Sequence, residues 1–198
     1  MKLETIMFIG RSGCGKGTQS DLLMKDLAQA DPERKIFYLE SGQKFREFIA
    51  RGGFSSELSQ EIMKKGALQP SFLAVWNWSH LLVENLTANE HLIFDGTPRK
   101  LDETMILDTA MKFYQRERPT VIHLKVSKDW SRARLTARGR SDDATPEAIE
   151  KRLNWFDTDV VPTIEYFRTH PDYDLLEING EQTIKEVHAE IAKALASR

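Results

Sequence analysis

The sequence has few of the features that mark secreted, membrane or metal-clustered proteins. Cys14 is the single cysteine in 198 residues, which excludes an internal disulfide and a zinc site built on several thiolates. No apolar run approaches the roughly 18 to 20 residues that cross a bilayer. The opening stretch MKLETIMFIG is interrupted by glycine too soon to resemble a signal peptide. We therefore expect a cytoplasmic protein without a membrane partner.

A charge excess of one sign is also missing, because 28 basic residues are offset by 30 acidic ones. Such a balance gives no reason to expect a nucleic acid polymer as a partner. Apolar residues make up 40% of the chain, which is enough for one buried core. With no repeat and no Pro/Ser-rich linker, the composition predicts one domain over residues 1–198.

Short apolar runs alternate along the chain with longer segments of helical periodicity. The predicted strands are Thr5–Ile9, Ile36–Leu39, His91–Phe94, Thr120–Val126 and Asp174–Ile178. The predicted helices cover residues 16–29, 42–50, 70–86 and 146–169. Strands that alternate with helices predict an α/β fold with a mostly parallel sheet covered on both faces.

For two of these helices the sequence predicts further details. In 146–169 apolar residues recur every three or four positions, Thr145 suits the N-cap, and Pro146 suits the first turn. Pro162 lies inside this pattern and predicts a kink. The residues predicted on the apolar side of helix 70–86 are Phe72, Leu73, Trp76, Leu81 and Leu82.

A glycine-rich segment, Gly10–Thr18, joins the first predicted strand to the first helix. Glycines let consecutive backbone N–H groups point into one concavity, and the helix N-terminus adds partial positive charge. This context predicts a phosphate-binding P-loop, with Lys16 reaching the outer phosphates. The alternative is a glycine-rich turn that binds no ligand. The candidate phosphate-binding residues of the loop, which the family resemblance described below assigns to ATP, are Gly13, Cys14, Gly15, Lys16, Gly17 and Thr18.

The loop departs from the common P-loop pattern at position 17, and it contains the single cysteine. Position 17 is glycine where the common P-loop pattern has serine or threonine, so Thr18 is the candidate hydroxyl for magnesium. Cys14 is either a small residue that fits the loop or a reactive thiol at a helix N-terminus.

A carboxylate follows the third predicted strand, in His91–Gly96. In P-loop proteins an acid at the end of a neighbouring strand holds magnesium through water, because the metal bridges phosphate oxygens. Asp95 is the candidate for this role. By itself, a strand followed by Asp-Gly is commonly only a turn.

Several ordered motifs go beyond a general P-loop. They are Gly13–Gln19, Asp95-Gly-Thr-Pro-Arg99 and Gly139-Arg-Ser-Asp-Asp143, followed by a helix that carries Arg152. From Ile6 to about Val187 the chain closely resembles the adenylate kinase family of nucleoside monophosphate kinases, which has glycine at the position of Gly17. The resemblance implies a P-loop NTPase-type three-layer αβα sandwich with a five-stranded parallel sheet. It further implies a helical monophosphate-binding insertion over 42–72 and a short zinc-free lid over 134–146. A monomer is expected, as is common for kinases of this size, and an oligomer stays open.

The resemblance also implies roles for individual residues. The implied catalytic residues are Lys16, Arg99, Arg138, Arg140 and Arg152. The implied ATP-binding residues outside the loop are Arg134, Gln182 and Ile184. The implied monophosphate-binding residues are Ser41, Gly42, Arg46, Leu68, Gln69, Gly96, Arg99 and Glu103. Arginine suits phosphoryl transfer because its planar fork grips two phosphate oxygens and stays charged. In isolation, the arginines between 134 and 152 would be read as a solvated basic face.

Three positions depart from the usual pattern: Gln43 replaces an aspartate, Thr97 an aromatic residue, and Glu103 a glutamine that reads adenine. An ionised glutamate only accepts hydrogen bonds, which suits the donors of guanine better than adenine N1. Alternatively, Glu103 points to solvent from the start of a helix. The family pattern favours AMP as the acceptor, and Glu103 keeps GMP open.

The expected function is reversible transfer of a phosphoryl group from magnesium-bound ATP to AMP, which gives two ADP. Two other enzyme readings are a kinase for another monophosphate such as GMP and a P-loop kinase for a small metabolite. A non-enzyme reading is a nucleotide-binding regulatory module that has lost catalysis. Loss of Lys16, Arg99 or Arg140 would favour that module, and all three are present.

Overall fold

A computed structural model describes residues 2–140 and 145–198. Residues 141–144 of the predicted lid, which include the last three residues of the Gly139–Asp143 motif, lie outside the described residues. Among the described residues, none of the helices has the length and apolar character needed to span a membrane.

Five parallel strands form one sheet in the order β2-β3-β1-β4-β5. Their bounds are β1 Thr5–Gly10, β2 Ile36–Glu40, β3 His91–Asp95, β4 Thr120–Lys125 and β5 Asp174–Asn179. All five predicted strands are present within one residue at either end. β1 and β3 are buried along their whole length, as expected for inner strands covered on both faces.

Helices cover both faces of the sheet. Their bounds are α1 Lys16–Ala30, α2 Ser41–Ala50, α3 Phe54–Lys64, α4 Ser71–Asn85, α5 Leu101–Phe113, α6 Lys128–Arg138, α7 Pro146–Trp155, α8 Val161–Thr169 and α9 Ile184–Ala196. Alternating residues of β1 enter two different cores. Met7 and Ile9 pack with α4, α5 and α8, whereas Ile6 and Phe8 pack with α1 and α9. The predicted three-layer αβα sandwich is confirmed.

The predicted helix 146–169 has one irregularity. Thr145 accepts a hydrogen bond from the backbone N–H of Ala148, so the expected N-cap is present. A π turn over Phe156–Val160 then separates α7 from α8. Pro162 lies in the first turn of α8 and has no N–H to donate, so the regular α-helical hydrogen bonding is broken just before it. The prediction of one helix with a simple kink is therefore corrected to two helices joined by a π turn.

The predicted apolar side of α4 is wrong in part. Phe72 is 74% exposed and Trp76 40% exposed, while Trp78 and Leu82 are buried against the sheet. The helix is apolar on almost every side, so periodicity alone does not show which side meets the core. Trp76 instead stacks on His80, with ring centroids 4.5 Å apart.

Candidate active site

A cleft of about 490 Å³ lies along the carboxyl edge of the sheet, where open α/β folds bind their ligands. It is lined by the P-loop, the start of α2, the segment before α4, the end of β3 and the helices α6 and α7. The predicted site residues that line it are Gly13, Gly15, Lys16, Gly17, Thr18, Ser41, Gly42, Arg46, Leu68, Gln69, Asp95, Gly96, Arg99, Glu103, Arg134, Arg138, Arg140 and Arg152. Residues far apart in the sequence therefore meet at one site.

The loop between β1 and α1 has the conformation that a phosphate cradle requires. Gly15 precedes α1 with φ +99°, a left-handed backbone conformation that residues other than glycine rarely adopt. The ammonium group of Lys16 donates hydrogen bonds to the carbonyls of Gly10 and Arg11, at 2.9 and 3.0 Å. These contacts hold Lys16 over the loop, beside the helix N-terminus that attracts anions.

Gly17 explains the departure from the common P-loop pattern. A Cβ atom at position 17 would lie 3.3 Å from Oδ2 of Asp95, closer than an ordinary contact. The absence of a side chain lets the carboxylate approach the start of α1. Thr18, the next residue, lines the cleft.

Asp95 is a buried carboxylate at the end of β3 and is 6% exposed. Its burial raises its pKa, whereas the positive charges of Lys16 and Arg99 act in the opposite direction. The hydroxyl of Tyr38 donates a hydrogen bond to Oδ2 of Asp95 at 3.3 Å. Asp95 and Thr18 both line the cleft, and a carboxylate and a hydroxyl supply oxygen atoms of the kind that suits magnesium with retained waters.

Arg99 lines the cleft and is held there by contacts with Gly96 and Ser41. Its Nε donates to the carbonyl of Gly96 at 2.8 Å, and its guanidinium lies 3.2 Å from the hydroxyl of Ser41. Ser41 donates in turn to the Gly96 carbonyl at 2.8 Å. These contacts aim a planar cation into the cleft beside the loop that follows β3.

Glu103 does not point to solvent. It is 4% exposed, lines the cleft, and accepts a hydrogen bond from the backbone N–H of Arg99 at 3.3 Å. Burial raises its pKa, and the contacts with Arg99 oppose that shift. The solvent-facing alternative is therefore wrong, and Glu103 remains a candidate for contact with the acceptor.

Four further arginines line the cleft. Arg134 and Arg138 lie on α6, Arg140 follows it, and Arg152 lies on α7. The guanidinium of Arg134 packs 4.7 Å from the ring centre of Trp130. A purely solvated basic face would not place all four on the concave surface that Lys16 also lines.

The sequence matches the adenylate kinase family over residues 8–171. Adenylate kinase 1 from Nostoc sp. is 31% identical over 195 residues, which cover 98% of this chain and 100% of that relative. The chain belongs to the adenylate kinase family.

Two further relatives have names that refer to different nucleoside monophosphates. An adenylate kinase from Corynebacterium urealyticum is 28% identical over 182 residues, 92% of this chain and 93% of the relative. A uridylate kinase from Saccharomyces cerevisiae is 28% identical over 200 residues, 98% of this chain and 91% of the relative. Members of the adenylate kinase family are phosphotransferases that act on nucleoside monophosphates, so the chain is such an enzyme.

Three residues assigned to ATP do not line the cleft of this adenylate kinase family member. Cys14 is 5% exposed and belongs to the core beneath the loop, which favours its reading as a small residue that fits the turn. Gln182 donates to the Asn179 carbonyl at 2.9 Å and to Glu190 at 2.7 Å. The carbonyl of Ile184 accepts from the buried Gln19 at 3.0 Å. Their contacts place Gln182 and Ile184 beyond the end of β5.

The sequence interpretation missed three residues at this site. Glu40 ends β2 and lines the cleft, Tyr38 contacts Asp95, and Trp155 lies beneath Arg99, with the guanidinium 5.6 Å from its ring centre. One signal was available for Glu40, since it directly precedes the Ser41-Gly42 pair.

Proposed function

We propose that the enzyme transfers the γ-phosphoryl group of magnesium-bound ATP to AMP and releases two ADP. The observation that carries this proposal is the convergence on one cleft of Lys16, Asp95, Arg99 and four further arginines, Arg134, Arg138, Arg140 and Arg152. The cleft joins a P-loop to a second cationic pocket, as a reaction between two phosphate-bearing substrates requires.

Each side of the cleft has a separate role in the proposal. The P-loop amides and Lys16 hold the donor phosphates, and Arg46 and Arg99 hold the acceptor phosphate. An oxygen of the AMP phosphate attacks the γ-phosphorus, and the bond from that phosphorus to the oxygen bridging to the β-phosphate breaks. The charge of the transferring group then spreads over several oxygens, where Arg138, Arg140 and Arg152 stabilise it.

Asp95, with Thr18, would hold magnesium and its waters. When bound, this metal would offset the negative charge of the phosphate groups. We expect the lid over 134–146 to close without zinc and to exclude water, which would otherwise hydrolyse ATP.

AMP as the acceptor is supported by the adenylate kinases among the relatives. Glu103 is buried in the cleft, and burial raises its pKa, although the contacts with Arg99 oppose this shift. In its neutral form the carboxyl group would offer one donor and one acceptor, the pair that complements N1 and the amino group of adenine. An ionised Glu103 would instead complement the donors of guanine, which keeps GMP as the second candidate. The uridylate kinase relative adds UMP as a third.

The test is a diphosphate-forming assay with magnesium and ATP against AMP, GMP, CMP and UMP in parallel, on wild type and Glu103→Gln. We expect AMP to be preferred, and we expect the variant to keep that preference because glutamine offers the same donor and acceptor. Preference for GMP, lost by roughly 100-fold in the variant, would make GMP the substrate. Activity with none of the four would contradict the proposal.

Glu57→Gln is the matched control. Glu57 is also an acid in the first turn of a helix, but it is exposed and lies outside the cleft. This variant should keep the wild-type order of acceptors, so that any change in Glu103→Gln is due to its place in the cleft.

A further inference from the structure

Glu40 is an acidic residue inside a cleft that otherwise attracts anions. It ends β2, immediately before Ser41, and its side chain is 26% exposed. Although it precedes α2, its side chain makes no capping hydrogen bond to that helix. Its carboxylate is instead directed towards Arg46.

Arg46 and Glu40 form an ion pair across the first turn of α2. Nη2 of Arg46 lies 2.9 Å from Oε1 of Glu40. A Cβ atom on Gly42 would lie 3.3 Å from Nη1 of Arg46 and 3.6 Å from Oε1 of Glu40, so the pair packs directly over the Gly42 backbone. The guanidinium that the proposed function assigns to the acceptor phosphate thus already has a carboxylate partner.

We infer that the negative charge of Glu40 competes with the acceptor phosphate for Arg46 and lowers the affinity of the enzyme for every nucleoside monophosphate, whatever its base. This inference rests on the proposed function only in assigning the acceptor phosphate to Arg46 and Arg99. Weaker binding of this phosphate would also ease release of the diphosphate formed at the same place.

The alternative is that Glu40 helps binding because it orients Arg46. Repulsion is the larger effect for two reasons. First, the pair is joined by one contact and both side chains are partly exposed. An ion pair of this kind does little to hold the guanidinium in one orientation. Second, a phosphate on the same guanidinium would lie within about 6 Å of the Glu40 carboxylate, where like charges interact strongly at a protein surface.

Two substitutions separate charge from hydrogen bonding. Glu40→Gln removes the charge but keeps an oxygen that accepts from Arg46. Glu40→Asp keeps the charge but shortens the reach to Arg46. If charge is decisive, only the glutamine variant will bind monophosphates more tightly.

Glu47→Gln is the matched control. Glu47 lies on the same helix and pairs with Lys44 at the same distance, 2.9 Å, but it does not line the cleft. Its loss removes one negative charge from α2 without changing the partner of Arg46.

The experiment is titration calorimetry of AMP, GMP and UMP, each paired with its nucleoside, on the full-length wild type and the three variants. We expect Glu40→Gln to bind the monophosphates about fivefold more tightly and the nucleosides equally well. This gain should shrink as salt is raised from about 0.05 to 0.5 M. Glu40→Asp and Glu47→Gln should not bind the monophosphates more tightly. Circular dichroism and thermal melting would confirm that each variant is folded.

Weaker or unchanged monophosphate binding in Glu40→Gln would overturn the inference and make Glu40 an orienting or neutral residue. Failure of all proteins to bind any monophosphate would overturn it as well. Tighter binding in Glu40→Gln together with no turnover in the wild type would leave the inference standing and contradict the proposed function. The two failures are therefore distinguishable.

Discussion

The indole N–H of Trp155 donates a hydrogen bond to the backbone carbonyl of Gly66, at 3.1 Å. Gly66 follows α3 and leads to the cleft-lining residues 67–69, while Trp155 ends α7, which carries Arg152. The guanidinium of Arg99 lies over the same indole ring. One aromatic side chain thus joins the acceptor side of the cleft to the helix that follows the lid.

Replacement of Gly66 by alanine should strongly destabilise the protein. Gly66 has φ +63°, and a Cβ atom there would lie 2.3 Å from the backbone carbonyl oxygen of Ala148. The clash is with the backbone of Ala148, so it cannot be relieved by rotating a side chain, and α7 would have to move. We expect a loss of about 2–4 kcal/mol in the free energy of unfolding, measured by urea denaturation.

Gly52→Ala separates steric contact from backbone strain. Gly52 has φ +76°, with no atom within 4 Å of the position that a Cβ atom would take. This variant should lose only about 1 kcal/mol, the cost of a left-handed conformation. Equal losses in the two variants would show that contact with Ala148 is unimportant.

The strands were predictable because each is a short, mostly apolar run, and β1 and β3 are buried along their whole length. His91–Asp95 was found within one residue, since inner strands of a parallel sheet need apolar residues on both faces. The burial of α4 was not predictable to the same degree. Phe72 and Trp78 are equally apolar, and only the position of α4 on the sheet buries one of them.

Some residues of the site were also predictable from the sequence, and others were not. Lys16, Asp95 and Arg99 belong to contiguous motifs, so short stretches of sequence were enough to find them. Glu40 depends on strand register, because it pairs with Asp95 across β2 and β3. Trp155 contacts a residue 89 positions away, and no local pattern indicates such a contact.

Loss of Lys16 should reduce turnover far more than stability. Lys16→Ala removes the cation proposed to hold the outer phosphates, so we expect kcat to fall by about 100- to 1000-fold. The free energy of unfolding should change by only about 1 kcal/mol, because the side chain is partly exposed in the cleft.

Lys25→Ala controls for the loss of a lysine on α1, since Lys25 is exposed and lies outside the cleft. Steady-state rates and urea denaturation would be measured on both variants. A Lys16→Ala enzyme with near wild-type kcat, or one that loses stability and activity in proportion, would contradict the assigned role.

Loss of the Tyr38 hydroxyl should weaken magnesium binding and so raise the magnesium concentration that the reaction needs. Tyr38→Phe removes the hydrogen bond that orients Asp95, and outer hydrogen bonds of this kind commonly change metal affinity by about tenfold or more. We expect the magnesium concentration for half-maximal activity to rise about tenfold, while kcat at saturating magnesium stays near the wild-type value.

Tyr173→Phe is the comparison for this variant. The Tyr173 hydroxyl also donates to a carboxylate, that of Asp108 at 3.0 Å, but this pair is buried away from the cleft. It should lower stability by about 1–2 kcal/mol and leave the magnesium dependence unchanged. A shift of equal size in both variants would contradict a specific effect on Asp95.

Acid should destabilise the protein in part through His91, which is fully buried at the start of β3. Its Nδ1 accepts a hydrogen bond from the backbone N–H of Glu4 at 3.0 Å, which requires that nitrogen to be unprotonated. Burial lowers the pKa of His91 below its ordinary 6.5, although the nearby Asp31 carboxylate opposes this shift. Below about pH 6.5 the unfolded chain therefore takes up a proton that the folded protein resists, and stability falls as the pH falls.

His91→Asn tests this because asparagine keeps an acceptor near the position of Nδ1 and does not titrate. We expect the variant to be less stable at pH 7.5 but to lose less free energy of unfolding between pH 7.5 and 5.5 than the wild type. One proton contributes at most about 1.4 kcal/mol per pH unit, which limits the difference between the two slopes. Urea denaturation at both pH values measures the free energy of unfolding of each protein. An equal loss between pH 7.5 and 5.5 in the two proteins would mean that His91 takes no part in acid destabilisation.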